Sequence, residues 1–232
     1  MIKLQSSLND LLHLFFPHTC VGCGSDVLDQ QQLLCLRCLN ELPATNFFDQ
    51  PGNPVEQVFY GRIPVQNAGA GYFFTKDSLI KNIIAQLKYR GNREIGVYLG
   101  KLIGNLLQNS PRFAGVDVLV PLPLNPRREK KRGYNQATAI CNGIASVWNK
   151  PVSENNAIRK VYTETQTHKN RVSRWQNMDG IFAINDPSLL QNKHVLLVDD
   201  VVTTGATLEA CGSEILKISG TTLSIATLAY TI

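Results

Sequence analysis

Val195-Leu196-Leu197-Val198-Asp199-Asp200-Val201-Val202-Thr203-Thr204-Gly205-Ala206-Thr207 compresses a strand, an acidic pair, a loop of small residues and a helix start into thirteen positions. Four consecutive branched apolar residues mark a strand buried on both faces, as in a parallel sheet. Two carboxylates follow at its carboxyl end, which is where open α/β sheets bind ligands. The amides that open the next helix, with the hydroxyls of Thr203, Thr204 and Thr207, suit a phosphate favoured by the helix dipole. Asp199 and Asp200 suit vicinal hydroxyls or a magnesium-bound diol, because carboxylates accept hydrogen bonds and bind hard cations. A phosphorylated sugar satisfies both halves. A polar strand end followed by a helix cap explains Gly205 or Thr207 singly, but not two tandem acids with this loop.

On both sides of this stretch, strands and helices alternate. Tyr72 to Phe74 reads as a strand, and Asp77 can cap a helix carrying Ile80, Ile83, Ile84 and Leu87. Leu99, Leu102, Ile103, Leu106 and Leu107 give a second helix, Val118 to Val120 a buried strand, and Asn135 to Trp148 a third helix. Beyond the opening stretch a helix from Gly205 to about Ile218 leads to a closing strand, Leu223 to Ala229. This order predicts an α/β domain with a mostly parallel sheet flanked by helices. The 232 residues, 44% apolar and 18% charged, suffice for that domain plus a small appendage. Divided by pattern, residues 1–16 form an amphipathic helix, 17–45 a cysteine ribbon, 46–60 a connector and 61–232 the α/β domain. The run Leu11 to Pro17 is too short and too polar to cross a bilayer or to act as an export signal, so a cytoplasmic address is expected.

Cysteine use separates the ribbon from the rest. Cys20, Cys23, Cys35 and Cys38 read as Cys-x2-Cys, eleven residues, Cys-x2-Cys, a spacing that lets two knuckles converge on one structural zinc ion. The alternative is a pair of disulfides, which the absence of an export signal argues against. Four thiolates fill the coordination sphere and leave no position for catalysis. Cys141 and Cys211 sit among small and apolar neighbours on helical patterns and read as packing residues. In the helix over 1–16, Leu4, Leu8, Leu11, Leu12, Phe15 and Phe16 line one face; a single Lys3 favours docking on the protein's own body over anchoring to a membrane surface. Charge divides similarly. The first 60 residues hold two basic and six acidic side chains, net −4, and the remainder 21 and 12, net +9. An anionic ligand is therefore drawn to the larger part.

The opening stretch resembles the phosphoribosyltransferase fingerprint of the type I fold. The resemblance implies that Asp199 and Asp200 hold the ribose hydroxyls of magnesium phosphoribosyl pyrophosphate, and that Thr203, Thr204, Gly205, Ala206 and Thr207 hold the phosphate on the sugar. Members acting on oxopurines carry a further acid four positions after the first; Thr203 stands there, which argues against a 6-oxopurine acceptor. More of the chain resembles the ComF proteins: Leu11-Leu12 to Pro17, Cys20-x2-Cys23-Gly24, Leu87-Lys88-Tyr89-Arg90-Gly91, Val120-Pro121-Leu122-Pro123-Leu124, Arg132-Gly133-Tyr134-Asn135-Gln136, and Thr165-x2-His168 to Gly180. This resemblance implies a role in natural competence, in uptake and processing of transforming DNA, with competence-machinery proteins as partners. It also implies Lys88 as a substrate-binding residue and a lid over the site from Val161 to Asn177.

Arg127-Arg128-Glu129-Lys130-Lys131-Arg132 places five positive charges in six residues after a buried strand. Cations there can stabilise the charge on a departing pyrophosphate, with Arg127 and Arg128 binding substrate and Arg132 acting in catalysis. A solvated charge run and a contact for single-stranded DNA phosphates are the other readings of the same six residues. Because the sequence ends just after the last strand, the ribbon and residues 56–75 are expected to roof the acceptor pocket. Two activities fit: ribosyl transfer from phosphoribosyl pyrophosphate to a base or nucleic acid, or a non-transferring module that binds DNA or senses phosphoribosyl pyrophosphate. The cysteine spacing gives a direct expectation, that elemental analysis finds about one zinc per chain. Metal-free protein with four titratable thiols and an ordered ribbon contradicts it.

Overall fold

The computed structural model describes residues 18–26, 28, 32–89, 92–160 and 180–232. The helix expected over 1–16 and the lid expected from Val161 to Asn177 lie outside the described residues, as do Arg90 and Gly91. The chain divides into two compact units, Met1–Leu42 and Pro43–Ile232. In the first, Cys35 opens a short helix, α1 (Leu36–Asn40), its sulfur accepting the Cys38 amide at 3.5 Å.

The second unit is built on four parallel strands in the order β1 (Ala68–Phe74), β6 (Thr222–Thr231), β5 (His194–Val202), β2 (Val118–Pro121). Val195 to Val198 are fully buried, as a central parallel strand requires. Both sheet edges are covered by loop backbone. Residues 43–45 pair with β1 through Phe73 N–H to Pro43 O at 2.8 Å and Thr45 N–H to Gly71 O at 3.0 Å. On the other side Leu119 N–H reaches Pro151 O and Ser153 N–H reaches Leu119 O, both at 2.9 Å. These stretches of the two edges are thereby closed to a foreign strand.

The helices are α2 (Pro54–Gln57), α3 (Leu79–Tyr89), α4 (Arg93–Asn109), α5 (Pro126–Arg132), α6 (Gln136–Trp148) and α7 (Ala206–Leu216). Asparagines at 53, 92, 125 and 135 cap α2, α4, α5 and α6, each side-chain oxygen taking a first-turn amide. The run of basic residues thus forms a one-residue-capped short helix, α5, stopped by Gly133 at φ 86°. An antiparallel pair, β3 (Ala157–Arg159) and β4 (Phe182–Ile184), stands apart from the main sheet.

Three features differ from the sequence expectation. β1 begins at Ala68, four residues before the expected strand, because Ala68-Gly69-Ala70-Gly71 lacks the branched residues that signal a strand. Its small size answers a packing need: a Cβ on Gly69 would lie 2.7 Å from the Phe48 ring, and one on Gly71 2.8 Å from Ile103. Residues 46–60, expected as a connector, bury Phe47, Phe48, Val55 and Phe59. The β3–β4 pair escapes notice because each strand has only three residues.

α4 and α6 meet at Gly100 and Gly143, where a Cβ on Gly100 would lie 2.3 Å from the Ile140 carbonyl oxygen. Gly100→Ala gains up to about 1 kcal/mol of helix propensity, but backbone cannot move aside as a side chain can, and overpacking costs ~1–3 kcal/mol. The variant is expected to melt several degrees below the wild type, and an unchanged or raised melting temperature refutes this contact.

Candidate functional site

β5 leaves the core between Val198 and Val202. Side chains alternate across a strand, so Asp199 continues the face of Val195 and Leu197, which pack with Leu208, Cys211 and Ile215 of α7. Asp200 projects to the other face. There Lys88 Nζ, from the last turn of α3, lies 3.1 Å from Asp200 Oδ1. Gln136 Nε2, from the first turn of α6, donates to Asp200 Oδ2 at 3.1 Å. The tandem acids therefore have different side-chain partners and are linked by the Asp200 amide, which donates to Asp199 Oδ1 at 2.8 Å.

Asp199 lines a small, open cleft of about 50 Å³ with Thr203, Thr204, Gly205, Ala206 and Thr207. Burial, then the negative charge of Asp200, pushes the Asp199 carboxyl up to about 8, against the Asp200 amide and the charge of Lys88. The loop turns at Gly205 with φ 70°, and no side chain caps α7. A Cβ at 205 would lie 2.4 Å from Val58 Cγ1 and 2.9 Å from Phe59 Cε1, so conformation and space both demand glycine. Arg62, which the sequence reading did not single out, donates to Thr204 O at 2.7 Å and pairs with Glu209.

The stretch Arg132 to Gln136 ties three elements together. The Tyr134 hydroxyl donates to Leu87 O beside Lys88, Asn135 Nδ2 donates to Leu122 O at 2.9 Å, and Gln136 holds Asp200. Arg132 is half-buried, and its Nη1, like Gln136 Oε1, is buried with no hydrogen-bond partner among the described residues. Lys88 is thus brought to the acid pair, whereas Arg127 and Arg128 lie exposed along α5 with Lys130 and Lys131. Sequence reasoning also missed Arg159. It rests over the Phe182 ring at 5.5 Å, and burial followed by the charge of Arg128 lowers its affinity for a proton. A cation from β3 thereby joins the basic face of α5, through a hairpin that local sequence does not announce.

In the first unit the sulfurs of Cys20, Cys23, Cys35 and Cys38 all lie within 4.8 Å of one another, and Cys23 and Cys35 are 3.7 Å apart. A tetrahedron with metal–sulfur bonds of about 2.3 Å has edges of about 3.8 Å, so this donor set fits a metal such as zinc. Cys35 N–H donates to Cys20 Sγ at 3.3 Å. Burial opposes the Cys20 thiolate, but amide hydrogen bonds from Cys35, Cys23 and Gly22 and a side-chain bond with Cys38 outweigh it and bring the thiol down to about 6. Cys141 and Cys211 are buried, and burial raises both thiols.

A family model described as phosphoribosyl transferase domain matches residues 135–231. The chain is 30% identical over 154 residues to the DNA utilization protein YhgH of Salmonella typhi, spanning 65% of this chain and 66% of that one. It is 28% identical over 195 residues to Competence protein F of Haemophilus influenzae, spanning 83% of this chain and 76% of that one. Among solved structures, glutamine phosphoribosylpyrophosphate amidotransferase from B. subtilis, complexed with ADP and GMP, aligns with a TM-score of 0.45 at 16% identity over 62% of this chain and 30% of that chain. Among the described residues no helix is long and apolar enough to cross a membrane.

The raised Asp199 carboxyl makes stability depend on pH. Between the ordinary aspartate value of about 4 and about 8 the folded chain holds a proton that the unfolded chain releases, so stability falls as pH rises through this window and levels off above it. Asp199→Asn is expected to remove this contribution, so that between about pH 4 and pH 8 the variant loses less stability with rising pH than the wild type in denaturant titrations. An equal slope in both proteins refutes it.

Proposed function

Because the chain belongs to the ComF family, we propose that it binds magnesium phosphoribosyl pyrophosphate at the carboxyl end of β5 and transfers the ribosyl group to a base or nucleic-acid acceptor during the use of incoming DNA. The observation that carries this reading is the convergence of Asp199, Asp200, Lys88 and the Thr203–Thr207 loop on one strand end. The loop amides and hydroxyls take the phosphate on the sugar. The ribose diol is held by the carboxylates, Asp199 from the α7 side and Asp200 from the α6 side. Magnesium, when bound with the substrate, supplies charge that offsets the pyrophosphate.

In the transfer an acceptor lone pair bonds the ribose C1 while the bond from C1 to pyrophosphate oxygen breaks, and pyrophosphate leaves with the electron pair. Lys88 and Arg132 are the cations assigned to the departing charge, with Arg127 and Arg128 reaching it from α5. The four-cysteine cluster holds structural zinc, and free thiols in this number fit a reducing, cytoplasmic setting. The exposed cations of α5, with Arg159, offer phosphates of single-stranded DNA a landing surface, a reading supported by the similarity to a relative named Competence protein F.

A second reading keeps the pocket without transfer, as a DNA-binding or phosphoribosyl pyrophosphate-sensing module. It is favoured by the engagement of both Asp200 oxygens, by Lys88 and by Gln136. Calorimetry tests the shared premise. Wild type is expected to bind magnesium phosphoribosyl pyrophosphate, and Asp199→Asn with Asp200→Asn to weaken it at least tenfold while remaining folded, since charge-assisted hydrogen bonds are worth ~1.5–3 kcal/mol each. No heat with saturating ligand, or equal binding by the double variant, contradicts the assignment.

A further inference from the structure

Arg62 precedes β1 and lies outside the residues matched by the phosphoribosyl transferase model. Its guanidinium reaches three partners: Nη1 donates to Val58 O at 3.0 Å and to Thr204 O at 2.7 Å, and Nη2 pairs with the Glu209 carboxylate. The Thr204 carbonyl and the Gly205 N–H belong to one planar trans peptide and point opposite ways. Holding the carbonyl therefore fixes the Gly205 N–H on the side away from Arg62. Glu209 sits in the first turn of α7, where a carboxylate favours the helix's positive end and so competes with an anionic ligand. The ion pair with Arg62 offsets that competitor. Val58 and Phe59, from the same turn as Arg62, close against Gly205 and leave the loop no room to tilt.

We propose that Arg62 is the positioning residue of the 203–207 loop: it orients the Thr204–Gly205 peptide and neutralises Glu209, leaving the start of α7 electropositive for a ligand phosphate. This rests on the reading that the loop holds a sugar phosphate. Arg62 touches no ligand in this role and acts only through the loop and Glu209. A purely structural brace for residues 58–62 gives a different pattern in a charge-reversal cycle.

The full chain is titrated with inorganic phosphate and with ribose 5-phosphate at fixed ionic strength, following the amide resonances of Gly205, Ala206 and Thr207. Arg62→Ala is expected to weaken phosphate binding by about fivefold or more, Glu209→Gln to tighten it by about twofold to fivefold, and the double variant to recover the part of the loss that comes from the unpaired Glu209 charge while staying weaker than the wild type, because the Thr204 carbonyl is still unheld. Melting curves show which variants are folded, and Glu209→Gln alone carries the test if Arg62→Ala is not. Wild-type affinity in Arg62→Ala, weakened binding in Glu209→Gln, or a double variant as weak as Arg62→Ala overturns the proposal. Phosphoribosyl pyrophosphate binding that survives intact in Arg62→Ala defeats this inference alone, whereas a wild type that binds neither phosphate nor phosphoribosyl pyrophosphate defeats the phosphate-site reading and this inference with it.

Discussion

β5 carries Val195 to Val198 through the middle of a four-stranded sheet, buried on both faces, and then emerges with two acids whose side chains must point opposite ways. That alternation governs the site. It assigns Asp199 to the loop cavity under α7 and Asp200 to the cations and amides brought by α3 and α6. The two carboxylates experience different fields as a result. Asp199, partly desolvated and next to a like charge, resists ionisation up to about 8, while Asp200 has an ammonium at 3.1 Å.

The second consequence of the strand end is that distant segments must be aimed at it. The Tyr134 hydroxyl fixes the last turn of α3 and thereby Lys88; Asn135 caps α6 and so sets Gln136 in the first turn, facing Asp200. Each contact is modest alone, but all three belong to consecutive residues, so a shift of one moves the others. A ligand diol entering beside Asp200 competes with Lys88 for its oxygen. On the proposed reading, release of that ammonium toward an anionic ligand would link diol recognition to recognition of the pyrophosphate charge.

Local sequence reveals the parts whose signal is local. The apolar run of β5, the acids and the Thr/Gly loop are readable because strand burial, strand end and helix start follow one another without a gap, and the cysteine pairs because metal geometry imposes short spacings. β1 hides half its length in Ala and Gly, since its neighbours Phe48 and Ile103 require small partners known only after folding. Arg62 and Thr204 are 142 residues apart, and nothing near Arg62 forecasts that carbonyl. Gln136 stood inside a motif without a role, because the role is a contact with Asp200, which only the packing of α6 beside β5 creates. The cations of α5 are plain in sequence, yet their continuation through Arg159 depends on a hairpin of three-residue strands.

On the proposed reading, one strand end recognises a sugar diol with its acids and a phosphate with its loop. A crystal structure of the chain with magnesium phosphoribosyl pyrophosphate tests it most directly. The sugar phosphate is expected against the amides of residues 203–207, the ribose hydroxyls on Asp199 and Asp200, and Lys88 turned from Asp200 toward the ligand. Ligand bound elsewhere, or bound with the Lys88–Asp200 pair intact and the loop empty, contradicts it.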